Sequence, residues 1–192
     1  SVGVNDAPPT ELHPLRLAVY EFKPDIAFNL LDEFLGQIRY DAHVPAYLEM
    51  LKLPYTGCNP RGLVLARDKA LGKKILYYHR VQVPEFAVFP MGRKAKRPRG
   101  LGFPLIVKSL LEQASLGISQ ASVVDSDDKL QERVAFIHER LQTDAIAESF
   151  IEGREIYVGV MGNDKLEVLP PWELLFTKDD SDAPLIATAR AK

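Results

Sequence analysis

Two stretches carry the reading: Phe103-Pro104-Leu105-Ile106-Val107-Lys108 and Glu148-Ser149-Phe150-Ile151-Glu152-Gly153-Arg154-Glu155. The first is an apolar run closed by a lysine, the pattern of a buried strand. An ammonium in that place is expensive to bury unless an anion accompanies it; otherwise its stem snorkels to solvent. The second stretch closes a strand predicted over 145–150 and opens another over 155–161, where Ile156, Val158 and Val160 alternate onto one face. Glu148 and Glu155 stand on either side of an apolar hinge and a Gly153 turn.

Outward from these strands the pattern stays strand-rich. Pro84 and Pro90 bracket Phe86-Ala87-Val88-Phe89, Ile118 to Val124 reads as a further strand, and Leu166 to Leu169 follows a Gly162-Asn163-Asp164 hairpin turn. Asp125-Ser126-Asp127-Asp128 is an acidic helix start, and Leu130, Val134, Ile137 and Leu141 give that helix its apolar stripe. Gly92 to Gly100 is a basic loop. The spacing therefore predicts an antiparallel second part. The first part alternates instead: a helix over 10–22, a strand at Ile26-Phe28-Leu30, a helix with Val44, Tyr47, Leu48 and Leu51 on one stripe, and an extended piece at Leu53 to Gly57. That rhythm predicts a parallel α/β unit. Asn59-Pro60-Arg61-Gly62 reads as a turn at the boundary, and a single helix is predicted from Ala66 to Arg80 with Leu71, Ile75 and Tyr78 inward.

The composition is that of a folded chain. Of 192 residues 46% are hydrophobic and 26% charged, which excludes disorder over most of the length, and the net charge of -2 gives no reason to expect nucleic acid. No apolar run is long enough for a transmembrane helix. One cysteine, Cys58, excludes an intrachain disulfide and a cysteine metal cluster, fits a reducing cytoplasm, and reads as packing. His13, His43, His79 and His138 show no close metal-ligand spacing. The basic loop, without interleaved aromatics, reads as solvated rather than as a nucleic-acid patch. Trp172, after Pro170-Pro171, reads as a cover over the strand-rich part.

Three features carry chemistry: Lys108 at a strand end, the loop Ser109 to Gly117 whose small residues let backbone N–H groups approach a phosphate, and the segment 148–155. A segment of the last kind binds adenine, with backbone groups reading the base edge and a carboxylate accepting from the amine or from ribose hydroxyls.

The ordered run Tyr55-Thr56-Gly57, Asp68-Lys69-Ala70-Leu71, Phe103 to Lys108 and Glu148 to Glu155 resembles the ATP-grasp superfamily, in its D-alanine–D-alanine ligase branch. The resemblance covers nearly the whole chain. It implies an α/β fold, α+β in the second part: residues 1–66 as part of a Rossmann-like pre-ATP-grasp domain, and 67–192 as the ATP-grasp domain. Within the latter, 67–153 is the central lobe and 154–192 the start of a C-terminal lobe. By the same resemblance Lys69 and Lys108 contact ATP phosphates, Glu148 receives the adenine amine, the backbone of Ser149, Phe150 and Ile151 reads the base edge, and Glu155 binds ribose. Glu112 and Ser115 fall in the loop over the phosphates. Lys192 is the candidate mobile-loop lysine. The implied reaction joins a small-molecule carboxylate, amino-acid or peptide-like, to an amine through an acyl phosphate at the expense of ATP, with Mg2+, in a cytoplasmic protein that pairs into a homodimer.

Two departures shape the expectation. Gln113-Ala114-Ser115 stands where D-alanine ligases carry Gly-Ser-Ser, so the acceptor is open. No match to the branch's magnesium carboxylates follows Trp172-Glu173, so the chain reads as a fragment lacking the C-terminal catalytic segment, with magnesium ligands beyond Lys192 and no activity of its own. The alternative is a non-catalytic nucleotide-binding or regulatory module of the same fold.

Overall fold

The structure, a computed structural model, describes residues 12–112 and 116–175. The chain divides into two units, Ser1–His79 and Arg80–Lys192.

In the first unit helix α1 (Leu12–Phe22) buries none of its residues and ends at Lys23, whose φ of 48° precedes Pro24. The two predicted strands meet only in one parallel bridge, Ala27 to Tyr55. The Ala27 amide donates to the Pro54 carbonyl (2.8 Å) and the Thr56 amide to the Ala27 carbonyl (3.0 Å). The ladder stops there because Ile26, Phe28 and Leu30 are all exposed, so their alternation has no core to cover. Between the bridged residues, α2 (His43–Met50) buries Val44 and Leu48. Asn59-Pro60-Arg61-Gly62 is a helix start rather than a loop: the Asn59 side chain accepts from the Gly62 amide and Pro60 opens α3 (Pro60–Arg67). The helix predicted as continuous to Arg80 is broken at Asp68, whose carboxylate caps the Ala70 and Leu71 amides of α4 (Lys69–Tyr78). Ala70 is the buried residue of α4, while Tyr78 faces solvent. A buried Arg67–Asp41 ion pair ties the end of α3 to the turn before α2. Burial and a hydrogen bond to Glu49 push the Tyr55 hydroxyl up to about 12, so it stays a donor. Cys58 is exposed, not packed.

The second unit is built on a four-stranded sheet in the order β1-β4-β2-β3, comprising β1 (Phe86–Phe89), β2 (Leu105–Ser109), β3 (Val123–Val124) and β4 (Ala145–Ser149). Every ladder is antiparallel, as the pattern predicts. One face of the sheet carries Ala87, Phe89, Leu105, Val107, Ala145 and Ala147, which form a single core with Leu130, Val134 and Ile137 of α5 (Asp127–Leu141). Ser126 caps α5, two aspartates follow in its first turn, and Gln142 ends it in a left-handed conformation. The predicted strand 118–124 shrinks to β3, because a 3-10 turn at Gln120–Ser122, closed by the reciprocal Ser119–Ser122 capping pair, takes its first half.

The predicted strand 155–161 becomes two, β5 (Glu155–Tyr157) and β6 (Val160–Met161), which join different partners. β5 pairs with β8 (Trp172–Leu174), and β6 with β7 (Glu167–Val168). Gly162 makes the β6–β7 turn at φ +114°, where a Cβ would collide with the Lys165 carbonyl. Ile156, Val158 and Val160 are exposed rather than on a core face, and Trp172 is 73% exposed, so it covers nothing.

Candidate functional site

Register places the two decisive residues together. In the β2–β4 ladder Ile106 faces Glu148 and Lys108 faces Ile146, so Lys108 and Glu148 lie diagonally on the sheet face opposite α5. Lys108 Nζ is 2.9 Å from Glu148 Oε2; the lysine side chain is 23% exposed and the glutamate 5%. The anion that a buried strand-end lysine requires is therefore the carboxylate of the second stretch. Glu148 sits on β4, between β1 and β2, and is interior to the sheet. Burial strengthens the pair, and the cost of dehydrating both ions offsets part of that gain.

The hinge continues directly from Glu148. The Ser149 amide donates to the Glu85 carbonyl at 2.8 Å and the Phe150 amide to the Pro104 carbonyl at 3.0 Å. Two of the three predicted hinge amides are thus engaged by the leads into β1 and β2. The Ile151 side chain is exposed.

The loop after β2 is shaped by Ser109, whose hydroxyl accepts from the Leu111 amide (3.3 Å) and the Glu112 amide (3.0 Å). The Leu110 amide donates to the Asp144 carbonyl at 2.9 Å. Glu112 is half-buried at this stem, while Ser115 and Lys192 lie outside the described residues. Glu155 opens β5, and its carboxylate accepts from the Tyr157 hydroxyl at 2.6 Å. Lys69 is the first residue of α4, in the other unit. The structure thus brings together Lys108, Glu148 and the hinge, and places Glu155 six residues beyond β4 at the start of the next ribbon.

Sequence reasoning passed over Arg133. Its Nη2 donates to the Ser122 hydroxyl at 2.9 Å and to the Gly117 carbonyl, and its guanidinium lies 4.3 Å from the Phe136 ring centroid. Burial pushes its pKa down from the usual arginine value. The signal was a cation three residues after Leu130, inside the apolar stripe. The basic loop holds a second omission: Arg97 binds Asp127 at the head of α5 and lies 4.5 Å from the Phe103 ring centroid, so it is a strut rather than a solvated charge.

Among the described residues no group of three His, Cys, Asp or Glu side chains converges as a metal site. Among the described residues no such cluster is found for the magnesium that the resemblance implies. No helix among them is long and apolar enough to cross a membrane.

The family described as D-ala D-ala ligase C-terminus matches residues 70–182. An uncharacterised protein, y4sG, of Sinorhizobium fredii is 37% identical over 84% of this chain and 46% of its own length. A D-alanine–D-alanine ligase of Desulfotalea psychrophila is 31% identical over 83% of this chain and 49% of that ligase. Among solved structures, a D-alanine–D-alanine ligase from Bacillus anthracis complexed with ATP superposes with a TM-score of 0.60 at 23% identity, over 80% of this chain and 55% of that one. That likeness establishes a mixed α/β fold with a central antiparallel sheet and flanking helices. The chain spans about half the length of the curated relatives it matches.

The family match overturns one expectation. The chain does not lack the C-terminal segment: residues 70–182 are the part that matches it. The expectation rested on a few missing carboxylates after Trp172-Glu173, whereas the match extends over residues 70–182.

Proposed function

Because this chain belongs to the D-ala D-ala ligase C-terminus family, we propose that it serves an ATP-grasp ligase that joins a small-molecule carboxylate to an amine through an acyl phosphate. The observation that carries this reading is the match over 70–182, inside which the Lys108–Glu148 pair and its hinge fall.

In this reading ATP lies against the sheet face opposite α5. The Ile151 amide and the hinge carbonyls read the adenine edge, Glu148 accepts from its amine, and Glu155 accepts from ribose hydroxyls. Lys108, held at the sheet by Glu148, supplies a point charge to the phosphates. Glu112 and Ser115 belong to the loop beside the phosphates, and Lys192 to the substrate side. The substrate carboxylate attacks the γ-phosphate and releases ADP; the amine then displaces phosphate from the acyl phosphate. What these residues contribute is positioning and fixed charge.

The same reading takes 1–66 as part of a leading α/β domain, supported by the parallel Ala27–Tyr55 bridge across α2, and 67–192 as the ATP-grasp domain. It places the protein in the cytoplasm as a homodimer. The acceptor is an amino acid or peptide-like amine, left open by Gln113-Ala114-Ser115.

The test is phosphate release by the 192-residue chain with ATP, magnesium and a panel of amino acids, beside calorimetric titration with ATP. Release that requires both a carboxylate and an amine supports the proposal. Absence of nucleotide binding defeats it.

A further inference from the structure

Glu155 is held by a neighbour on its own strand. Residues two apart on a strand share a face, and on β5 these are Glu155 and Tyr157, joined at 2.6 Å. The β5–β8 register sets Leu174 opposite Glu155 and Trp172 opposite Tyr157, so both pairs lie on one face of the ribbon. The adjacent cation does not share it: Arg154 lies on the other face with Ile156 and Glu173, and approaches Glu173 at 3.5 Å. Among the described residues Tyr157 is thus the hydrogen-bond partner of the Glu155 carboxylate, whose setting is an aromatic and apolar ledge.

An ionised carboxylate only accepts, through two oxygens. A phenol fixed on Oε1 sets the plane of the group and turns Oε2 toward an incoming donor. The hydrogen bond to Glu155 raises the Tyr157 pKa, which keeps the phenol a donor through the neutral range. A ledge of this kind suits a sugar, which offers hydroxyl donors from one edge and C–H groups from its face.

We propose that Tyr157 is a positioning residue that holds the Glu155 carboxylate for the ribose hydroxyls of the nucleotide, and so sets the preference for ribose over deoxyribose; this rests on the ATP-binding reading above.

The test is calorimetric titration of the 192-residue chain with ATP, 2′-deoxy-ATP and 3′-deoxy-ATP, using wild type, Tyr157→Phe and Glu155→Gln. Wild type is expected to prefer ATP over at least one deoxy form. Tyr157→Phe is expected to weaken ATP about fivefold, the size of one hydrogen bond, while leaving that deoxy form unchanged, so the ratio falls toward one. Glu155→Gln is expected to do the same. A wild-type ratio in Tyr157→Phe overturns the proposal, and so does an equal loss for all three nucleotides, which marks a merely structural role. Wild type that binds no nucleotide defeats the ATP reading itself, a result separable from failure of the tyrosine alone.

Discussion

The β1–β4 sheet and the two ribbons that follow it use the same kinds of residue to opposite ends. Leu105, Val107, Ala145 and Ala147 are fully buried, whereas Ile156, Val158, Val160, Val168 and Trp172 are exposed. Both sets come from runs of apolar and β-branched residues, which suffice to make strands. What differs is the second layer. α5 lies across one face of the sheet and turns a strand pattern into a core, while the described residues place no helix on the ribbons. Alternation encodes a strand; a packed partner encodes burial.

The contrast breaks most visibly at Ile137, a fully buried contact of α5. Ile137→Ala is expected to cost about 2–5 kcal/mol, read from the urea midpoint. Arg133→Met strips the donor from the Gly117 carbonyl and the Ser122 hydroxyl, at a cost of about 1–3 kcal/mol by the same measurement. Lys108→Met removes the partner of a nearly buried carboxylate and, discounted for the lysine's partial exposure, costs about 1–2 kcal/mol; ATP titration should lose affinity as well. Val168→Thr on a ribbon should change stability by no more than about 0.5 kcal/mol, and a loss as large as that of Ile137→Ala would erase the distinction between the regions. The smallest effect is expected at the head of α5. The hydrogen bonds from Arg97 hold the Asp127 carboxyl below its ordinary range. A lowered acid adds stability above its unfolded pKa and loses it as pH falls through the folded value. Asp127→Asn should therefore differ slightly from wild type at pH 7 and converge with it on the acid side of about pH 4.

The sheet was legible because its signals were local and redundant. Prolines fenced β1, an apolar run made β2, and a period near 3.6 with an acidic start made α5. The need of Lys108 for an anion was also legible; that the anion is Glu148 was not, since only the ladder register sets which face each residue takes. In the first unit the alternating Ile26-Phe28-Leu30 misled, because a period of two does not say whether anything lies opposite. Asn59-Pro60 carried cap chemistry that composition alone assigned to a turn. Arg133 escaped because it acts on residues brought close by the fold, Gly117 and Ser122, across 16 and 11 positions; the Glu155–Tyr157 pair is local, two residues apart on one strand.

The two engaged hinge amides have a consequence for how such a site can change over evolutionary time. With Ser149 tied to Glu85 and Phe150 to Pro104, this rim is fastened by main-chain groups from the leads into two separate strands. Replacing side chains along it leaves those fastenings intact, so drift in residue identity is cheap while the outline of the rim is inherited almost unchanged. A change in that outline would have to enter through a rebuilt strand end, and innovation is more readily accommodated in the loops and ribbons beyond.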